Sequence, residues 1–234
     1  MFLFIAIFII TGGISLWASF KLKSTYKKYS QVSAGSGQTG ARAAQEILDR
    51  AGINDVEIIA SESFLGDHYN PMNKTLVLSE QNYYGDSAAA LGVAAHECGH
   101  AIQHKVAYAP LNWRMASVGV TNYANSVVTY LPFLGLMTGG FGGLIGNNMT
   151  YFWIMSIGWG VIMLFNLITL PVEFDASSRA KKILSGMRMV TTEEAEIGVR
   201  KTLDAAAMTY VAAFITSLLY MLYYLLPLLL GRRD

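Results

Sequence analysis

Between Arg114 and Glu173 the chain carries no Asp, Glu, Lys or Arg, and the same holds between Asp204 and Arg232. Uncharged intervals of that length cannot clothe the surface of a water-soluble globule. They point to a bilayer, whose ~30 Å of hydrocarbon takes about 20 apolar residues per helix. Over the whole chain only 14% of residues are charged, where about a quarter is usual, and the deficit is concentrated in these intervals. The net charge of +1 gives no ground for a nucleic-acid partner. The single cysteine, Cys98, excludes an intramolecular disulfide.

Four stretches read as spans. Residues 2–20, "FLFIAIFIITGGISLWASF", match one crossing. A cleaved signal peptide is the weaker reading, because no basic residue precedes the run and no A-x-A site follows it. Residues 150–170 and 205–230 are strongly apolar, with aromatics suited to the interface. Residues 115–137 include Asn122, Asn125 and several hydroxyls, so this stretch is expected to span as a bundle-facing helix, with a place in the interface as the alternative.

Orientation follows from the lysines. Lys21, Lys23, Lys27 and Lys28 crowd behind the first span, and basic loops stay in the cytoplasm. The N-terminus is therefore expected outside, with residues 21–114 inside. The uncharged tip "TGGFGGLIGNN" of the following hairpin falls outside. The basic segment 171–204 returns inside at Pro171, and the tail "GRRD" ends outside.

In the polar part, Thr39 and Gly52 bracket a short amphipathic helix over 39–51. Residues 56–63 and 74–80 read as strands, and "GDHYNPMN" between them as turn chemistry. Asp86 or Ser87 then caps a helix, "SAAALGVAAHECGHAIQHK". On that helix His96 and His100 lie one turn apart and about 40° around the axis, able to share one metal ion. Glu97 falls beside them, where it can act on a water without ligating. This is the H-E-x-x-H pattern of zinc hydrolases. The competing reading is a solvated helical face, but the flanking "GVAA" and "AI" are small and apolar, and burying two imidazoles there is costly without a partner. Cys98 points about 200° away from His96 and reads as a core residue.

A catalytic zinc needs a third protein ligand. His104 stands about 12 Å from His96 along a straight helix, too far to share the ion, and reads as a surface or supporting residue. Glu173 and Asp175 in "LPVEFDASSRAKKIL" are the first charges after the long uncharged interval, on the same expected side as His96.

"AAHECGHAIQH" together with "PVEFDASSRA" resembles the membrane-bound neutral zinc metallopeptidases of bacteria. The likeness extends over most of the chain, including "DHYNPMNKTLVLSE". More distantly the chain is similar to heat-shock membrane metalloproteases and CAAX prenyl proteases. The resemblance implies one zinc held by His96, His100 and Glu173, with Glu97 as general base. It also implies a zincin-like fold, a protein or peptide substrate, and the strand "TLVLS" as a partner for an extended substrate. The distant relatives carry an aspartate four residues after the ligand glutamate, where this chain has Ser177; Asp175 sits two residues after Glu173. His68, Tyr69 or Arg179 is the expected oxyanion stabiliser, His68 foremost.

The expectation is therefore a mainly α membrane protein of about four transmembrane helices with a small α+β zincin-like cytoplasmic catalytic domain. Its parts are an anchor (1–20), a catalytic segment (21–114), a membrane hairpin (115–170), a segment bearing the third ligand (171–204) and a last membrane helix (205–230). The expected activity is zinc-dependent endopeptidase in a cell membrane. The rival is a non-proteolytic scaffold or transport-related membrane protein with a structural zinc. An acid between the two histidines speaks against that rival, because a structural site has no use for it.

Overall fold

The computed structural model describes residues 2–63, 65–137 and 148–230. The expected outer tip (apart from Asn148) and the "GRRD" tail lie outside the described residues. Among the described residues, seven helices and three short strands occur in the order α1 (Phe2–Tyr29), α2 (Gly40–Arg50), β1 (Glu57–Ser61), β2 (His68–Asn70), β3 (Thr75–Ser79), α3 (Glu80–Tyr84), α4 (Ala88–Lys105), α5 (Ala109–Met137), α6 (Asn148–Gly186) and α7 (Glu193–Leu230). By length and composition, three of the described helices can cross a membrane: α1, α6 and α7. The expected second span forms most of α5, whose asparagines and hydroxyls keep it below that apolar threshold.

The chain divides into two compact units. One is Trp17–Asn112 with Leu170–Thr209, and the other is the remainder. The second unit packs aromatics and aliphatics of α5, α6 and α7, including Val128, Met155, Ile162 and Tyr224. Trp159 stacks on Tyr220 at 4.5 Å between centroids. Asn166 is satisfied there by Ser217 Oγ at 3.0 Å, as a polar group among apolar helices must be.

The first unit has a core built on alanine. Ala88, Ala94 and Ala95 of α4 are fully buried against α2 and the polar ends of α6 and α7, and Ala89 against Tyr26 and Tyr29 of α1. Small side chains let these helices approach closely. The caps fall where the residue types predict. Thr39 accepts from Arg42 N, Gly52 takes a left-handed φ of +65° just past α2, and Ser87 accepts from Ala90 N at the start of α4.

One feature differs from the expectation. "GDHYNPMN" is more than a turn: His68–Asn70 folds back antiparallel on β3, while β1 pairs with β3 in parallel, giving the order β1-β3-β2. Asp67 holds this return by accepting from Ser79 N at 2.7 Å and Asn82 Nδ2 at 3.0 Å. β3 is thereby the central strand, paired with β1 along its whole length and with β2 along Thr75–Val77, so that part of "TLVLS" is no open edge for a substrate strand. The helix of the third apolar span runs on through Pro171 to Gly186, so Glu173 stands on that same helix.

Candidate metal centre

His96 and His100 rise from one face of α4, with ring centroids 4.8 Å apart. Glu173, 1% exposed on α6, is directed at both. Its Oε2 lies 3.3 Å from His96 Nε2 and 3.6 Å from His100 Nε2. One donor atom from each of the three falls within 4.8 Å of the others, a spacing that could hold a metal ion.

The close approach of α6 depends on Gly99. A Cβ at that position would lie 2.8 Å from the Ala176 carbonyl oxygen and 3.1 Å from its Cα. Only a residue without a side chain lets the α6 backbone come this near, one turn beyond Glu173.

Each imidazole is fixed from behind. Gln103, fully buried, donates from Nε2 to the Val172 carbonyl and to Asp175 Oδ2, both at 2.8 Å. Both partners can only accept, so the amide orientation is determined and Oε1 must face His100 Nδ1, at 2.9 Å. His100 therefore carries its proton on Nδ1 and presents the Nε2 lone pair to the point where Glu173 also aims. Ser177 Oγ stands 3.1 Å from His96 Nδ1 and supports the other ring. Partners of this kind orient metal-ligating imidazoles and raise their basicity.

The electrostatics agree with a cation site. Burial alone would raise the Glu173 carboxyl, but His100 and His96 outweigh it and hold the group below the usual carboxylate range. Burial likewise opposes charge on His100, yet Glu173, Glu97 and Gln103 together shift its pKa upward.

Glu97, between the two histidines in sequence, is buried, and its Oε2 accepts from Tyr69 N at 2.9 Å. In the register of β2 on β3, Tyr69 lies opposite Leu76 and turns its N–H outward to that carboxylate. His104 is not in the cluster; its Nδ1 meets Tyr69 Oη at 2.9 Å. Asp175 also stands outside it, taken by Gln103 and by Arg179 Nε at 2.6 Å. His68 is exposed, with Nδ1 on the Gly66 carbonyl at 2.8 Å. Cys98 faces the core on the far side, its thiol pushed well up by burial. The residues that sequence reasoning missed are Gln103 and Gly99. A glycine in mid-helix, which costs about 1 kcal/mol against alanine, was the available signal for the second.

Two imidazoles and a carboxylate, backed by hydrogen bonds and buried beside a further glutamate, are the donor set of a hydrolytic zinc enzyme. A family model described as "Putative neutral zinc metallopeptidase" matches residues 2–229. The chain is 45% identical over 232 residues to the "Putative membrane protease YugP" of Bacillus subtilis (strain 168), covering 99% of each protein. It belongs to this family of neutral zinc metallopeptidases. No solved structure matches it. The cofactor of the family is zinc, and the donor group described here suits that ion.

Proposed function

We propose that this protein is a membrane-integrated zinc metalloendopeptidase in which His96, His100 and Glu173 hold one zinc and Glu97 is the general base. The observation that carries the reading is the convergence of those three donor atoms beside a buried glutamate. Zinc at this point supplies Lewis acidity, which polarises a carbonyl and acidifies water. Glu97 takes the proton of the attacking water and returns it to the leaving amine. The Tyr69 N–H fixes one oxygen of Glu97 and so aims the other. Gln103 and Ser177 keep the two imidazoles turned toward Glu173.

The oxyanion needs a donor. His68, one residue before the Tyr69 N–H that holds Glu97, is the proposed donor.

In the membrane, α1, residues 115–137 of α5, and the apolar parts of α6 and α7 form four spans. The site faces the cytoplasm with Lys21–Lys28, giving the five-part organisation set out from the sequence. Glu97→Gln tests the function. It should retain zinc and lose hydrolysis of denatured protein substrates, because shape is kept and the base is gone. Equal turnover by variant and wild type refutes the mechanism.

A further inference from the structure

α1 and α7 enclose a second feature, away from the metal centre. Trp17, Lys21, Ser24 and Lys28 recur along one face of α1, and Lys201, Asp204, Ala205 and Met208 along one face of α7. The two stripes line a cleft of ≈ 540 Å³, within the ~300–1,000 Å³ range of small-molecule sites.

The cleft has a lengthwise polarity, and both walls agree on it. Along α1 the apolar stretch ends at Trp17 and the lysines follow, with Lys28 about 16 Å further along the helix axis. α7 runs the opposite way in sequence: Lys201 and Asp204 come first, then Ala205 and Met208 open its apolar stretch. One end of the cleft is therefore apolar on both sides and the other cationic. Three lysines face one aspartate, and Asp204 is already held by Lys181 at 2.5 Å. Lys28 Nζ lies over the Tyr29 ring, 5.2 Å from its centroid. Among the described residues, the ammonium groups of Lys21 and Lys201 have no hydrogen bond or ion pair, the Lys21 carbonyl alone accepting from Ser24 Oγ. Trp17 is 54% exposed, an indole of the kind that sits at headgroup depth.

We propose that this cleft binds the headgroup of an anionic phospholipid. The phosphate lies among Lys21, Lys28 and Lys201, and the glycerol and acyl chains run past Trp17 and Met208. A phospholipid has the same order of polar and apolar parts as the cleft walls. Basic recesses between helices at the cytoplasmic surface recognise such headgroups through charge and depth together. Net surplus of positive charge selects anionic over zwitterionic lipid. The proposal rests on α1 and α7 spanning the membrane; carbonate extraction of membranes reports that point separately.

The test is lipid retention by the full chain reconstituted in nanodiscs of mixed phosphatidylglycerol and phosphatidylcholine, then extracted into mild detergent and read by native mass spectrometry. Wild type should retain phosphatidylglycerol over phosphatidylcholine. Lys21→Gln/Lys28→Gln/Lys201→Gln should lower that retention by at least about tenfold. Lys23→Gln/Lys27→Gln/Lys182→Gln, with the same loss of charge outside the cleft, should retain it as wild type does. All six lysines are on the surface, and unchanged circular dichroism and zinc content check that the variants fold. Undiminished retention by the cleft variant overturns the proposal. Equal loss in both variants also overturns it, because the attraction would then be diffuse. Displacement of the lipid by millimolar inorganic phosphate would assign the lysines to a soluble phosphate and overturn it as well.

Discussion

Gly99→Ala separates the packing that positions Glu173 from the packing that merely holds the protein together. The added Cβ would stand 2.8 Å from the Ala176 carbonyl oxygen, against ordinary contact from 3.4 Å. The obstacle is backbone, so α6 must retreat locally by roughly half an ångström, the gap between ~2.8 and ~3.4 Å, because a packed interior has no slack to absorb the methyl. Glu173 is one turn back on the same helix, and its Oε2 is now 3.3 and 3.6 Å from the two imidazole nitrogens. Metal ligation tolerates about ±0.2 Å, so the carboxylate leaves range. The stability change is smaller than this suggests. Overpacking costs about 1–3 kcal/mol, and alanine returns about 1 kcal/mol of helix propensity. The signature is thus a split: near-native thermal unfolding of the metal-free protein with zinc binding weakened at least ~10-fold. Gly92→Ala on the same helix is the control. Its Cβ meets Val199 Cγ1 at 3.6 Å, an ordinary contact, so it should keep wild-type zinc affinity and gain up to about 1 kcal/mol. Titration of both variants against a chromophoric zinc chelator decides the matter. Wild-type zinc affinity in Gly99→Ala, or equal loss in both alanines, refutes the reasoning.

Gln103→Ala removes the only described acceptor on His100 Nδ1 and should weaken zinc binding ~10–100-fold, with the loss visible in zinc titration before any assay of activity. Ser177→Asp places a carboxylate behind His96, as the distantly similar proteases have, and should tighten zinc binding; an unchanged affinity would show that Ser177 Oγ does not support that ring. In the metal-free protein the pKa of His100 is raised, so zinc must displace its proton at pH values below that raised pKa. Apparent affinity should therefore fall about tenfold per pH unit there and level off above it, as competition with a chelator across pH 8 to 6 would measure. In a Cys98→Ala background, single cysteines at Ser36 and Ser185 should be labelled from the same side of the membrane; opposite sides would contradict the proposed topology.

How much of this was legible in the sequence depends on how local each signal is. The His96–Glu97–His100 grouping needs only the helical period, so it could be read directly. The three apolar helices followed from length and charge alone. Glu173 required a topology and a family resemblance, because 75 residues separate it from Glu97 and no local pattern marks it. β2 was hidden because three residues, "HYN", carry too little alternation to distinguish from a turn; its place is fixed by Asp67, acting across sequence on Ser79 and Asn82. The Gln103 relay was not legible either. A glutamine between Ile102 and His104 looks like an ordinary polar helix residue until α6 brings the Val172 carbonyl and Asp175 to it.

The central claim is that this protein binds zinc through two histidines of one helix and a glutamate of another. Zinc K-edge absorption of the detergent-purified wild-type protein tests it most directly. The account predicts two imidazole nitrogens at ~2.0–2.1 Å with oxygen completing the shell and no sulfur, and loss of that signature in Glu173→Ala. A scatterer at ~2.3 Å, the zinc–sulfur distance, or an unaltered spectrum in Glu173→Ala would contradict it.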